Sequence, residues 1–399
     1  MRMSRFTRDD CPGATPVVRC KALLMSVVVG CLWSGVAGAL RAADSQQDAD
    51  YGSYPAPVKK YLGRLYDEGR RKYAFREGYP GGFEQWSKKW RPALRGLLGL
   101  EKIAESAGGH KVKVHLGQAE DLQTYTRARG WIETEPDVRI PLWLLRPEGE
   151  GPFPLAVLPH GHDPHGHDTS AGGFRDENHR RKSLAEDRDV AVQAAGHGFL
   201  AIAPAVRGLS TDGVPDRRNR HGARSCRSQL MHCLLAGRTA LGERVWDMER
   251  ILDWATSRPD VDGSRVLVMG NSGGGIVTLY TAACDPRVTV AVPSCSFCSL
   301  VSPAGYVYHC DCDMVPGILQ YGELYDVAGL IAPRHLLAVN GRKDTLFVGA
   351  DVERAAGRVK AIFTAAGCPG HFEHRWGPEG HRFYKDLMWP FVLKALGRQ

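Results

Sequence analysis

The sequence predicts an α/β fold organised around a mostly parallel sheet. Three observations lead there. Short, unbroken apolar runs such as "FPLAVLPHG" and "GFLAIAPAVRG" end in turn residues, as strands covered on both faces do. Helix-like patterns separate these runs from about residue 110 to the end of the chain. One strand-like run, "RVLVMG", passes through a glycine-fenced serine directly into a helix-like run, "GGGIVTLYTAA".

The chain has 399 residues, 43% of them hydrophobic and 24% charged, ample for a sizeable core. Its formal charge of +8 is unevenly placed: residues 1–43 hold six Lys/Arg against two acids. What remains is too mildly basic to argue for a nucleic-acid partner. In residues 1–43, Arg19 and Lys21 precede an uncharged stretch, "ALLMSVVVGCLWSGVAGAL", closed by the small-x-small site Ala37-Gly38-Ala39. This pattern predicts an export signal, a cleaved signal peptide or a signal-anchor, and hence a periplasmic or secreted protein with no further membrane partner.

Residues 44–109 read as a helical N-terminal extension. Val58, Tyr61, Leu62, Leu65 and Tyr66 fall on one helix face. Phe83, Trp86, Trp90, Leu94, Leu97 and Leu98 continue in the same style, with Pro92 expected to break or kink the helix. The extension carries no motif and reads as a packing cap. Residues 110–399 read as the third segment, a single α/β domain. "HKVKVHL" alternates as a strand does, and "RARGWIETEP" with "VRIPLWLLRP" reads as two strands joined by a turn. Val245, Met248, Leu252 and Ala255 make one face of a helix that Pro259 stops. "RVLVMG", "VTVAVPS", "RHLLAVNG" and "FEHRWGP" are the later strands.

The turn Gly270-Asn271-Ser272-Gly273-Gly274 carries the chemistry. G-x-S-x-G between a strand and a helix lifts a serine oxygen to the sheet edge, above the free N–H groups of a helix start. No Lys-Ser/Thr follows, so a phosphate loop is disfavoured. A serine hydroxyl needs a base and the base an orienting acid, in the chain order serine, acid, histidine. Asp344, just past "HLLAVNG", is the expected acid, and His381, in "GPEGHRF" after the last strand, is the expected base. Asp351 and Glu379 are the rival acids; His371 and His374, flanking the last strand, read as solvent-facing. The expected oxyanion donors are the backbone N–H groups of Gly273 and of His162, in the loop His160-Gly161-His162.

That loop holds His160, His162, His165 and His167 within eight residues, yet it is read as structural rather than metal-binding. Eight cysteines lie outside the leader. Cys295-x-x-Cys298 and Cys310-x-Cys312 beside His309 fall outside the usual zinc spacings, so no metal is expected. Buried thiols or disulfides are expected instead, with Cys226 and Cys233 able to staple the Arg-rich stretch that holds Arg217, Arg218, Arg220, Arg224 and Arg227. Those arginines read as solvated surface, with a role in binding an anionic substrate the competing reading.

"LPHGH", "APAVRG", "SRPDVDGSRVLVMGNSGGG", "DVAGLIAPRHLLAVNGRKD" and "GPEGHRF" together resemble the α/β-hydrolase superfamily, and more narrowly exported bacterial esterases akin to acetyl xylan esterases and dienelactone-hydrolase-like proteins. The resemblance spans roughly residues 110–399. It implies the α/β-hydrolase fold, with helices on both faces of the sheet, and cofactor-free ester hydrolysis through an acyl-enzyme, with a small acyl group on a carbohydrate as substrate. Dienelactone hydrolases proper carry cysteine where Ser272 stands, which disfavours lactone opening. A serine peptidase of the oligopeptidase-like branch and a non-catalytic binding protein on the same fold are the competing classes.

Overall fold

The computed structural model describes residues 54–210, 214, 216–218, 220 and 224–398. The expected export signal lies outside these residues. Three helices come first: α1 (Ala56–Leu65), α2 (Gly82–Leu98) and α3 (Leu100–Ala107). Of the break or kink expected at Pro92 the break does not occur: helix α2 runs through that residue without ending. Proline forfeits one backbone hydrogen bond, but Trp86, Trp90, Leu94 and Leu98 on the same helix are fully buried and hold it in place. Each tryptophan brings on the order of 4–6 kcal/mol of gross apolar burial, more than the roughly 3 kcal/mol proline penalty. These side chains belong to the same hydrophobic core as the central sheet.

Ten strands follow: β1 (Lys113–Leu116), β2 (Glu120–Asp121), β3 (Tyr125–Glu135), β4 (Val138–Pro147), β5 (Phe153–Val157), β6 (Leu200–Pro204), β7 (Val261–Asn271), β8 (Val290–Ser294), β9 (His335–Gly341) and β10 (Phe372–Gly377). They form one sheet in the order β1-β3-β4-β6-β5-β7-β8-β9-β10, with β2 paired to β3. From β6 to β10 every pairing is parallel; the β1–β4 end is antiparallel, and β4 pairs antiparallel with β6.

The unbroken apolar runs now have their reason. Strand side chains alternate faces, and here both faces are covered. Leu155, Val157, Leu200, Ile202, Val266 and Val268 enter one core. Ala156, Leu158, Ala201, Ala203, Leu267 and Met269 enter a second, on the opposite face. The connecting helices are α4 (Gly166–Ser170), α5 (Glu177–Ala185), α6 (Val190–Gly196), α7 (Ser225–Ala236), α8 (Ala240–Thr256), α9 (Gly273–Cys284), α10 (Leu324–Gly329), α11 (Gly349–Ala365) and α12 (Lys385–Ala395). Buried side chains of α8, α9 and α11 fill the first core, and those of α6 and α12 fill the second. Helix α9 is buried along all 12 residues, so the turn that starts it has a rigid support on every side. The C-terminal ends of β5, β7, β9 and β10 open at one rim, the side on which such sheets bind ligands.

Candidate active site

Ser272 sits between β7 and α9 with φ 57° and ψ −127°, a left-handed backbone for a residue with a side chain. Such strain persists only where the surroundings over-determine it. Two backbone approaches do so. A Cβ on Gly270 would lie 2.4 Å from the Gly274 carbonyl oxygen and 2.6 Å from that of Pro159. A Cβ on Gly274 would lie 2.1 Å from the Pro159 oxygen. The glycines around the serine let the turn and the loop after β5 pass backbone against backbone. Ser272 N–H donates to Ser294 O (2.9 Å), and Asn271 Nδ2 donates to the same oxygen (3.3 Å), pinning the turn to the end of β8.

Asp344 follows β9 and is buried; His381 follows β10 and is partly exposed. His381 Nδ1 donates to Asp344 Oδ2 at 2.7 Å, while Asp344 Oδ1 accepts the Leu346 N–H at 3.0 Å. Backbone bonds run between the two loops as well: Arg342 N–H to Gly377 O (2.8 Å) and Lys343 N–H to Glu379 O (3.0 Å). Ser272 and His381 line one cleft of about 120 Å³ together with His160, Gly161, His162 and Phe383. The rival acids lie elsewhere. Asp351 is in α11, bonded to Tyr308 Oη (2.5 Å) and Arg354, and Glu379 is an exposed partner of Lys343 (2.9 Å).

Gly273 and Gly274 head α9, where backbone N–H groups have no intrahelical acceptor; the helix's own bonding starts with Gly275 and Ile276, which donate to Ser272 O. Gly161 presses on the serine from above: a Cβ there would lie 3.0 Å from Ser272 Cβ. His160 is buried, accepts the Val206 N–H on Nε2 (2.9 Å) and donates from Nδ1 to Gly161 O (2.7 Å). Burial, with the neighbouring His167 adding to it, holds its pKa down at about 4, so it is a neutral brace between β6 and the loop. The four histidines of this loop do not converge. His160 and His167 are buried with ring centroids 5.9 Å apart, whereas His162 points to Cys312, its Nε2 3.3 Å from Sγ.

Several supports were invisible to sequence reasoning. Ser294 Oγ donates to Arg382 O (3.0 Å), and Cys295 Sγ reaches the same oxygen (3.3 Å), so the end of β8 grips the histidine loop. Burial first, then nearby Asp344, pushes the Cys295 thiol up to about 12, which keeps it a neutral donor. Arg382 pairs with Asp187 at 2.5 Å. No local spacing announces these residues, which meet only through sheet order.

Two readings are corrected by the geometry. Cys226 and Cys233 stand seven residues apart on α7, about 10.5 Å along a helix, beyond disulfide reach, and both are free thiols. His374 is not solvent-facing: its Nε2 donates to Asn340 Oδ1 (3.1 Å), and burial followed by Arg342 lowers its pKa to about 4. His371, by contrast, keeps a partly exposed position while its Nδ1 donates to Pro333 O at 2.6 Å. The described arginines of the basic stretch are exposed, and Arg227 pairs with Asp311 at 2.5 Å. Two groups among the described residues have metal-ligand chemistry: Cys295, Asp344 and His381, already bonded to one another or to backbone, and His162 with Cys226, Cys310 and Cys312.

Residues 179–303, which include Ser272, match the acetyl xylan esterase (AXE1) family. A protein of Bacillus subtilis (strain 168) named as a hydrolase, YtaP, is 26% identical over 257 residues, 59% of this chain and 79% of its own length. The acetyl esterase Axe7A of Xylanibacter ruminicola is 28% identical over 169 residues, 41% of this chain and 34% of Axe7A. Among solved structures, a Bacteroides fragilis protein named as an acetyl xylan esterase superposes with a TM-score of 0.66 at 16% identity, covering 86% of this chain and 96% of that one. A glucuronoyl esterase from Solibacter usitatus gives 0.57 at 14% identity, over 82% and 97%. No described helix is long and apolar enough to cross a membrane. The fold is thus that of the α/β-hydrolase esterases on which the chain superposes, and the match to the acetyl xylan esterase family is carried by residues 179–303.

Proposed function

We propose that the protein is an exported serine esterase that removes small acyl groups, acetyl foremost, from carbohydrate. The observation that carries this reading is the strained Ser272 sharing a cleft with His381, whose far nitrogen is bonded to Asp344 at 2.7 Å. The family match and the names of the similar proteins support an esterase acting on carbohydrate. Ser272 Oγ attacks the ester carbonyl carbon while His381 Nε2 takes its proton. Asp344 keeps the proton of His381 on Nδ1, leaving Nε2 free as the base. Backbone N–H groups of Gly273 and His162 stabilise the oxyanion. His381 then gives its proton to the leaving sugar oxygen, the C–O bond breaks, and an acyl-serine remains. Water, deprotonated by the same histidine, attacks that acyl group and frees the acid and the serine.

The test is acetate release from acetylated xylan and from a chromogenic acetyl ester, with Ser272→Ala alongside. The reading expects release by the wild type and a loss of about 10⁴-fold or more in the folded variant. Cleavage of aminoacyl amides without ester cleavage would move the protein to the peptidases. No turnover of either would leave a binding role.

A further inference from the structure

Four side chains that ester hydrolysis leaves unused as side chains converge beside the cleft. One ligand atom each from His162, Cys226, Cys310 and Cys312 lies within 4.8 Å of all the others. They arrive from three remote segments: the loop after β5, the first turn of α7, and a 3-10 turn at Asp311–Asp313. Cys226 and Cys312 are buried, Cys310 is half-buried, and His162 is exposed at its rim while its ring turns in toward Cys312.

The spacing suits a tetrahedral ion. Bonds of about 2.3 Å to sulfur and about 2.0 Å to nitrogen place the edges of a tetrahedron near 3.8 Å for sulfur–sulfur and 3.5 Å for sulfur–nitrogen. His162 Nε2 and Cys312 Sγ are already 3.3 Å apart, and no edge needs to close by more than about 1.3 Å. A disulfide would use two of the sulfurs and leave the third beside the imidazole; all three are free thiols here. The surroundings hold the ligands as outer partners of a metal site do. Arg244, fully buried in α8, donates from Nη1 to Cys312 O (3.3 Å) and to Asp313 Oδ1 (2.8 Å), which anchors the 3-10 turn. Asp311 of that turn pairs with Arg227 one residue beyond Cys226, so the two cysteine-bearing segments are held together independently of the thiols.

We propose that His162, Cys226, Cys310 and Cys312 form a closed Cys₃His site for Zn²⁺. The thiols give up their protons to solvent on binding. Four protein ligands leave no position for water, so the ion holds structure and activates nothing. What it holds matters: the His162 ring lies against the head of α9, with Nδ1 3.0 Å from where a Cβ on Gly273 would stand. The ion therefore clamps the loop after β5, the start of α7 and the 3-10 turn to one another at the edge of the cleft.

The experiment loads the full chain, reduced with a phosphine, with Zn²⁺ alone, and measures bound zinc by mass spectrometry and Co²⁺ substitution by absorption. The site predicts one zinc per chain and a cobalt spectrum with thiolate charge-transfer and intense tetrahedral ligand-field bands. Cys310→Ser should weaken zinc binding by about 100-fold or more, while Cys368→Ser, on a remote loop, should keep one zinc. If Cys310→Ser does not fold, the wild-type cobalt spectrum decides alone. Fully reduced wild type that binds no zinc, an octahedral cobalt spectrum, or zinc retained in a folded Cys310→Ser would each overturn the proposal. So would a disulfide between two of these cysteines in protein that binds no zinc once that bond is reduced.

Discussion

Gly274→Ala is the sharpest test of how the serine turn is built. The added methyl would lie 2.1 Å from Pro159 O, 2.8 Å from His160 C and 2.9 Å from His160 O, all backbone atoms that no rotamer change can move aside. An ordinary contact needs about 3.4 Å, so the helix head and the loop after β5 must separate by roughly 1.3 Å. That loop carries His160, Gly161 and His162 over Ser272. Overpacking of this kind costs about 1–3 kcal/mol, and a displacement near 1 Å at a reacting centre costs about 100-fold in rate. Gly357→Ala is the matched control. It lies inside α11 with nothing within 4 Å of the added methyl, and should raise stability by about 0.5–1 kcal/mol. The assay pairs chromogenic-ester kcat with urea denaturation. Wild-type kcat and stability in Gly274→Ala would refute the view that backbone crowding fixes this turn.

Asp344→Asn should lower kcat by about 10³–10⁴-fold with little change in KM. Because Oδ1 already accepts the Leu346 N–H, the new amide must turn its NH₂ toward His381 and force the unproductive tautomer; a loss under tenfold would refute this orientation. Arg207 bonds Asp247 and Glu135 and lies 3.3 Å from Glu243, so Arg207→Met leaves Glu135 and Glu243 to Arg238 and buried Asp247 to the Thr134 hydroxyl, and denaturation should show a loss of about 3–5 kcal/mol. A cost below 1 kcal/mol would mean the network contributes nothing. His374 has its pKa lowered to about 4 in the fold, so its neutral form is the stabilising one: that stability is present above pH 6.5 and drains away as pH falls toward 4. His374→Gln, keeping a donor for Asn340, should lose about 1–2 kcal/mol less than wild type between pH 7 and 4.5, a figure reduced because the ring is partly exposed. Identical acid profiles would refute the assignment.

The parallel sheet was legible because both of its faces are buried: "RVLVMG" and "FPLAVLP" have no polar position for solvent to claim. Ser272, Asp344 and His381 were legible because each follows a strand at one rim of the sheet, where turn residues punctuate the chain. A break of helix α2 at Pro92 was the misleading alternative, because tertiary burial of Trp86 and Trp90 outweighs a local penalty that the sequence displays plainly. The cysteines were misjudged for the opposite reason. Cys226 was matched to Cys233 by nearness in sequence, yet its neighbours are His162, Cys310 and Cys312, brought in by the order β6-β5-β7-β8. The grip of Ser294 and Cys295 on Arg382 escaped for the same cause, since contacts between ends of different strands leave no periodicity to detect.

Among the described residues strand β10, which delivers His381, pairs with β9 alone and forms one border of the sheet. The serine, by contrast, leaves β7, which is flanked by β5 and β8. Border strands open locally at lower free energy than central ones. Mild heat or denaturant should thus detach the histidine from a still-folded body, and activity should fade at temperatures where circular dichroism is unchanged. Durability of the catalyst would then be governed by this margin of the sheet, and efforts to prolong its working life belong at the β9–β10 seam rather than in the already dense interior around α9.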